Sequence, residues 1–252
     1  MPAAITRLLV AWRAPAGIGR QRREAARRGE DREAHTIRLH GYFRSSTTYR
    51  LRIALNLKGL SYDYVPVDLV AGANHAPAFR ARNPFGSVPL LEADGRDRAQ
   101  SLALLEWLEE AYPQPPLLPL EIEARYTVRE LAYAIATEIH AVNNLPVLNY
   151  LRHPLGHCDE EIGAWYRHWL ARTLDPVEAR LAQLGAGDFL HGEAPGLFEV
   201  VLVPQLYNAR RFAYDLSASP HLTRIEAASL ALPAFQRAHP DNQIDSPERS
   251  KT

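Results

Sequence analysis

The sequence predicts a small α/β domain followed by an all-helical domain. Three observations predict it. Runs with strand-like alternation are confined to the first 100 residues, with one helical pattern between the first two. A proline cluster, Pro113, Pro115, Pro116 and Pro119, then forms a stiff connector. Beyond it only helical periodicity recurs.

The elements follow in order. Residues 1–36 are rich in arginine, alanine, glycine and glutamate, with apolar residues clustered only at Leu8–Trp12. Two readings stand: a disordered leader or mis-assigned start, and a targeting segment, the acids at Glu24, Glu30, Asp31 and Glu33 favouring the first. The first domain spans 37–112. Ile37–Phe43 alternates and reads as a strand. Ser45-Ser46-Thr47-Thr48 supplies hydroxyl caps to a largely buried helix over Tyr49–Lys58, which Gly59 stops. Tyr62–Leu69 is a second strand, completing a β-α-β unit. A polar connector over 70–84 carries a short helix around Pro77–Arg82. Ser87–Glu92 is a third strand, and Asp94-Gly95 turns it into a fourth, Arg96–Ala99, weakened by Asp97 and Arg98. Ser101 caps a helix over Leu102–Tyr112. The linker is 113–121. The helical domain, 122–248, shows helices at Ala124–Asn144, Asp159–Leu184, Phe198–Tyr214 and Leu222–Leu232.

Composition narrows function. The 252 residues are 46% hydrophobic and 23% charged, which suits a packed soluble protein rather than a disordered one. Basic and acidic residues number 29 each, so no basic surplus points to nucleic acid. No apolar run is long enough to span a membrane. The single cysteine, Cys158, excludes an intramolecular disulfide and a multi-cysteine metal site, and a reducing compartment is the simple reading. All but two of the basic residues are arginine, which reflects codon bias.

Several residues have the chemistry of a site. Ser45 and Ser46 lie between a strand and a helix, where unpaired amides and the helix dipole favour an anion. Read plainly, they cap the helix, and capping is compatible with anion binding. Gln100-Ser101 opens the next helix in the same way and suits a carboxylate, while Ser101 alone is an ordinary N-cap. His140 and Asn144 stand four apart on one predicted helix and share a face. A lone helical histidine is equally a surface or core residue, and no metal-ligand spacing accompanies it.

Taken together, five strings resemble one family. They are Tyr42–Gly59, Asn83-Pro84 with Val88-Pro89, Gln100-Ser101 with Glu106–Glu110, Leu202–Gln205, and Ala209–Phe212. In order and spacing, over 37–248, they resemble the zeta-class glutathione transferases, the family of maleylacetoacetate isomerase and its close relative maleylpyruvate isomerase. The resemblance implies a thioredoxin-like first domain, glutathione as cofactor, a small acidic substrate, a cytoplasmic homodimer, and no nucleic-acid, membrane or metal partner. It places Ser45 on the glutathione sulfur with Ser46 beside it. It places Val88 and the cis proline Pro89 on the cysteinyl part, Gln100 and Ser101 on the γ-glutamyl end, and Asn74 or His75 on the glycyl carboxylate. His140 and Asn144 line the cleft, and Arg44 and Arg211 receive the acidic substrate. Lowering a thiol pKa of about 8.5 by two units needs roughly 2.7 kcal/mol. A charge-assisted hydrogen bond and a helix terminus together supply about that much.

The chain departs from the family pattern at two places and from maleylpyruvate isomerase at a third. Thr47 stands where the family has cysteine, so side activities that depend on that thiol are in question. Gly196-Leu-Phe-Glu199 replaces the usual Ser/Thr-x-x-Asp capping string, predicting a somewhat weaker helix. Leu145-Pro146 follows the paired asparagines where maleylpyruvate isomerase has an arginine, which favours maleylacetoacetate. The implied activity is glutathione-dependent cis–trans isomerisation. A conjugating or dehalogenating transferase and a non-catalytic binding scaffold are the alternatives.

Overall fold

The computed structural model describes residues 37–249, and the leader reading of 1–36 lies outside the described residues. The described residues fall in one compact unit. A four-stranded sheet of order β2-β1-β3-β4 is built from β1 (Ile37–Gly41), β2 (Tyr62–Pro66), β3 (Leu90–Ala93) and β4 (Arg96–Ala99). β1 pairs in parallel with β2, and the β1–β3 and β3–β4 ladders are antiparallel. Helix α1 (Ser46–Leu57) joins β1 to β2.

β1 ends two residues before the predicted Phe43. The chain turns there, with the Ser45 N–H donating to the Tyr42 carbonyl at 3.0 Å. Gly41 permits the turn: a Cβ on it would lie 2.2 Å from the Thr48 side chain, so only glycine lets α1 approach the strand. β2 stops at Pro66, and α2 (Pro77–Arg82) lies where expected. β3 starts at Leu90 and not at Ser87, because Pro89, in a cis peptide with Val88, has no N–H for a ladder. The polar residues of β4 have partners. Asp97 accepts from Arg82 at 2.6 and 2.8 Å, and the Arg98 guanidinium lies 4.2 Å from the Trp107 ring centroid.

Helix α3 (Ser101–Ala111) leads into the proline linker. The linker is strapped down by Lys58 and Glu109. The buried Lys58 ammonium donates to Glu109 at 2.8 Å and to the Tyr112 and Pro115 carbonyls at 2.7 and 3.0 Å. Three donors meet three acceptors, which a compact ammonium does better than a planar guanidinium.

Beyond the linker run α4 (Ile122–Tyr133), α5 (Leu145–Arg152), α6 (Asp159–Leu184), α7 (Leu197–Arg211), α8 (Pro220–Leu230) and α9 (Pro233–Ala238). The single helix predicted over Ala124–Asn144 is interrupted. It loosens into a π-helical turn at Ala134–Ile139 and ends there, and α5 follows where no helix was expected. α7 also stops short of Tyr214, at Arg211; α8 matches the helix predicted over Leu222–Leu232, and α9 follows where none was expected, opened by Pro233.

Gly196 precedes α7 for a steric reason. A Cβ there would lie 2.6 Å from the Leu117 carbonyl oxygen, which accepts the Leu197 N–H at 2.8 Å. The buried Glu199 keeps the return half of the cap by accepting the Gly196 and Leu190 N–H groups at 2.7 and 2.8 Å. The hydroxyl half is lost, since no side chain at Gly196 accepts from the first turn of α7.

One apolar cluster runs through both halves of the molecule. Leu39, Leu51, Leu55, Leu91 and Leu105 join Leu131, Ile135, Leu170, Phe198 and Leu202. α1 packs against α3, α7 and α9, so its N-terminus opens where the two halves meet.

Candidate active site

The N-terminus of α1 organises the site. Ser45 is its N-cap, in extended conformation, and its Oγ accepts the Thr48 N–H at 3.3 Å. Ser46 is the first helical residue. Its hydroxyl is buried and accepts from the Asn208 amide of α7 at 2.6 Å. The two serines therefore do not converge on one spot as predicted: Ser45 faces the helix mouth, and Ser46 ties α1 to α7.

Thr47 completes a short chain of hydroxyls. Its Oγ1 donates to the Val88 carbonyl at 2.9 Å and lies 2.9 Å from Ser45 Oγ. The residue that departs from the family pattern thus pins the α1 turn to the Val88-Pro89 loop. A cysteine would make these hydrogen bonds only weakly.

Of the pair Asn74 and His75, Asn74 is turned inward. It is buried and donates to the Gly86 carbonyl at 2.7 Å, bracing the loop that leads to Val88. His75 is exposed, with Nδ1 3.3 Å from Arg80. Of the two, only His75 is open to solvent.

At α3 the expected cap is shifted by one residue. Gln100 holds the N-cap position with φ +71°, and no side chain caps the helix. Ser101 is the first helical residue, and its buried Oγ accepts from Arg50 Nη1 at 3.3 Å. A glutamine held at positive φ is strained backbone, a feature that clusters at ligand sites.

His140 and Asn144 do not share a helical face. The helix has ended at Ile139, and Asn144 is the N-cap of α5, accepting the Val147 N–H at 3.1 Å and donating to the Ala141 carbonyl at 2.9 Å. His140 remains beside Arg50. Burial, with that neighbouring charge, pushes its pKa down to about 3, so the imidazole is neutral at physiological pH. Asn143 is the buried member of the asparagine pair.

Arg44 and Arg211 come from opposite halves of the chain, and the charge of Arg44 reaches Arg211. Arg44 is exposed, with its guanidinium 5.6 Å from the Phe43 ring centroid. Arg211 ends α7 and donates to Asn208 Oδ1 at 3.1 Å. Desolvation and the charge of Arg44 both lower its pKa. Two guanidinium groups whose fields overlap beside Ser45 suit an acidic molecule.

Sequence reasoning did not single out Asn208, Tyr166 or Arg50. Asn208 hydrogen-bonds Ser46 with its amide nitrogen and Arg211 with its oxygen, linking the two parts of the site. The available signal was spacing, since Asn208 lies one turn before Arg211 on the same helix. Tyr166 stacks on Phe212 with centroids 3.6 Å apart and reads in the sequence as ordinary core.

A β-α-β unit with its anion-favouring helix mouth, an opposed cis-proline loop and a helical half across the cleft define a thioredoxin-like, glutathione-transferase class of protein. Residues 39–116 match the family model described as the glutathione S-transferase N-terminal domain. The chain is 44% identical to maleylacetoacetate isomerase of Pseudomonas aeruginosa, over 84% of this chain and 99% of that protein. It aligns with the holo structure of a zeta-class maleylpyruvate isomerase at TM-score 0.81, with 42% identity over 83% of this chain and 99% of the other. A maleylacetoacetate isomerase from Anaeromyxobacter dehalogenans, solved with glutathione in its active site, aligns at TM-score 0.76, with 46% identity over 84% and 99%. The chain belongs to the glutathione S-transferase family, in its zeta-class isomerase group.

Proposed function

We propose that this chain is a glutathione-dependent cis–trans isomerase converting maleylacetoacetate to fumarylacetoacetate. The single observation that carries the reading is that the charge of Arg44, the residue before Ser45, reaches Arg211 at the end of α7. An enzyme for a neutral substrate has no use for two mutually repelling cations there. Leu145 at the start of α5, where an arginine would favour maleylpyruvate, supports the longer diketo acid.

The residues present fit glutathione. Ser45 offers a hydroxyl, Val88 a backbone carbonyl, α3 an N-terminus without a side-chain cap, and His75 an exposed ring. Bound glutathione supplies a thiolate for reversible addition to the cis double bond. The Ser45 hydroxyl and the α1 dipole hold that negative charge and keep the sulfur's proton off. Gln100 and Ser101 hold the γ-glutamyl end, and His75 the glycyl carboxylate. Arg44 and Arg211 orient the substrate and stabilise negative charge developing on its oxygens. His140, neutral, lines the cleft without adding charge. Family kinship supports a cytoplasmic homodimer as the working form. Among the described residues no helix is long and apolar enough to cross a membrane.

Turnover of maleylacetoacetate and maleylpyruvate, each with and without glutathione, tests the reading. Glutathione-dependent isomerisation with preference for maleylacetoacetate is expected. Arg211→Ala should reduce isomerisation while sparing conjugation of a neutral electrophile. Equal loss of both activities, or binding of glutathione without isomerisation, overturns the proposal.

A further inference from the structure

Helix α1 buries two arginines two residues apart, and they are spent differently. Arg52 is largely tied to protein: its Nε donates to the Ala238 carbonyl at 2.9 Å and its Nη2 to the Phe43 carbonyl at 2.8 Å, leaving only Nη1 without a partner. Arg50 is 1% exposed and makes one hydrogen bond, from Nη1 to Ser101 Oγ at 3.3 Å. Its Nε and Nη2 have no hydrogen-bond partner, and it forms no ion pair among the described residues.

A guanidinium so placed is costly, because burial removes its hydration and nothing among the described residues neutralises it. The groups that face it carry no charge at neutral pH. Ser101 is a hydroxyl. Burial keeps the Tyr166 phenol protonated by raising its pKa, and His140 is neutral. Burial also draws the pKa of Arg50 itself down to about 10. A positive charge kept in such a place implies an anion that meets it.

Ser101 shows where. Its oxygen accepts from Arg50, so its own proton is left for another acceptor, and Ser101 stands in the first turn of α3. A hydroxyl polarised by a cation behind it is a stronger donor to an anion in front. No side chain caps this helix, and Gln100 sits beside it in strained backbone.

We propose that Arg50 is a positioning residue, the fixed positive charge behind Ser101 that selects the α-carboxylate of the γ-glutamyl end of glutathione. The proposal rests on the glutathione-dependent reading above and extends it to a residue that need not touch the reacting atoms. It assigns the specificity for a γ-glutamyl peptide to a buried cation and not to surface polar groups alone.

Full-length wild type, Arg50→Met and Arg50→Lys would be titrated with glutathione and with 4-aminobutanoyl-cysteinylglycine, which lacks only that carboxylate. Wild type should bind glutathione at least about tenfold more tightly than the analogue, the scale of one charge-assisted contact. Arg50→Met should lose about that factor for glutathione and nothing for the analogue. Its KM for glutathione should rise, with kcat at saturation held within about twofold. Arg50→Lys should recover part of the loss. Without ligand, Arg50→Met should melt at or above the wild-type temperature, because a buried lone charge has been replaced by an apolar chain of similar length. Equal losses for both peptides, or an unstable or unfolded Arg50→Met protein, would show a structural role and overturn the proposal. Wild-type affinity for glutathione with variants unchanged overturns only the Arg50 assignment. Absence of glutathione binding by wild type overturns both this and the reading beneath it.

Discussion

Two helices of this molecule begin with a serine near the cleft, and they use it in opposite ways. At α1 the serine that faces the mouth is outside the helix: Ser45 is the N-cap and its oxygen satisfies the Thr48 amide, while Ser46, the first helical residue, is tied to Asn208. At α3 the serine is inside: Ser101 is the first helical residue, the cap position is held by a strained Gln100, and no side chain closes the end. α1 has a conventional start and α3 has one left open to a partner. The difference teaches that a hydroxyl at a helix mouth does not by itself say which anion it serves. What lies behind the hydroxyl decides. Behind Ser45 stands the neutral chain of Thr47 and the Val88 carbonyl, which suits a soft, singly charged sulfur. Behind Ser101 stands the buried Arg50, which suits a carboxylate.

The largest effect is expected from breaking the α1 side. Ser45→Ala removes the hydroxyl that faces the sulfur and should lower kcat/KM for isomerisation by about 100-fold, the usual cost of one preorganised donor to a developing charge. Losing the cap should cost a further ~1 kcal/mol of stability. Ultraviolet titration of bound glutathione should show the thiol pKa moving back toward about 8.5. A variant that loses stability but keeps the thiol pKa would make Ser45 a cap and nothing more.

The next effect probes the α3 side through His140. Its folded pKa of about 3 lies below its ordinary 6.5. Between those values the unfolded chain binds a proton that the folded chain refuses. Stability should therefore fall as pH drops through 6.5, with a slope of no more than about 1.4 kcal/mol per unit from this one group. His140→Asn should flatten that acid-side slope, read from urea midpoints at pH 7, 6 and 5. The rate profile of the wild type between pH 5 and 9 should carry no limb from His140. An unchanged slope in the variant would mean that His140 titrates normally and that the Arg50 environment is wetter than its burial indicates.

Much of this was legible in the sequence. α6 begins at Asp159 and ends at Leu184 as its periodicity predicted, because acidic residues open it and Gly185, at φ +63°, closes it. The β-α-β unit and the β3–β4 hairpin followed from alternation and turn residues alone. What failed was the path of the chain around His140. The apolar spacing over Ala134–Asn144 is helical, but the backbone shifts to π-type bonding, with the His140 N–H reaching Ile135, and the register that would align Asn144 is lost. α5 was hidden because Leu145-Pro146 reads as a break, although proline is well suited to the first turn of a helix. Arg50 and Asn208 were hidden for a different reason. Their roles come from partners 51 and 162 residues away, at Ser101 and Ser46, and no local pattern encodes such a contact.

The smallest effect is the sharpest test of the comparison, and it concerns Thr47. A threonine hydroxyl has one proton, and Thr47 gives it to the Val88 carbonyl. The 2.9 Å contact between Thr47 and Ser45 must therefore be made with the proton of Ser45. Ser45 has to leave Thr47 before it can donate to sulfur, and a neutral hydrogen bond of about 1 kcal/mol is lost in the exchange. Thr47→Val removes the acceptor and frees the Ser45 proton. The thiol pKa of bound glutathione should then fall by roughly 0.7 unit, the equivalent of that energy, and kcat/KM measured below the thiol pKa should rise a few-fold. The Val88 carbonyl loses a donor in the same variant, so its melting temperature should drop slightly even as the thiolate becomes easier to form. A rise in thiol pKa would mean the reverse arrangement: Thr47 would be strengthening Ser45 from behind as Arg50 strengthens Ser101, and the two helix mouths would work alike.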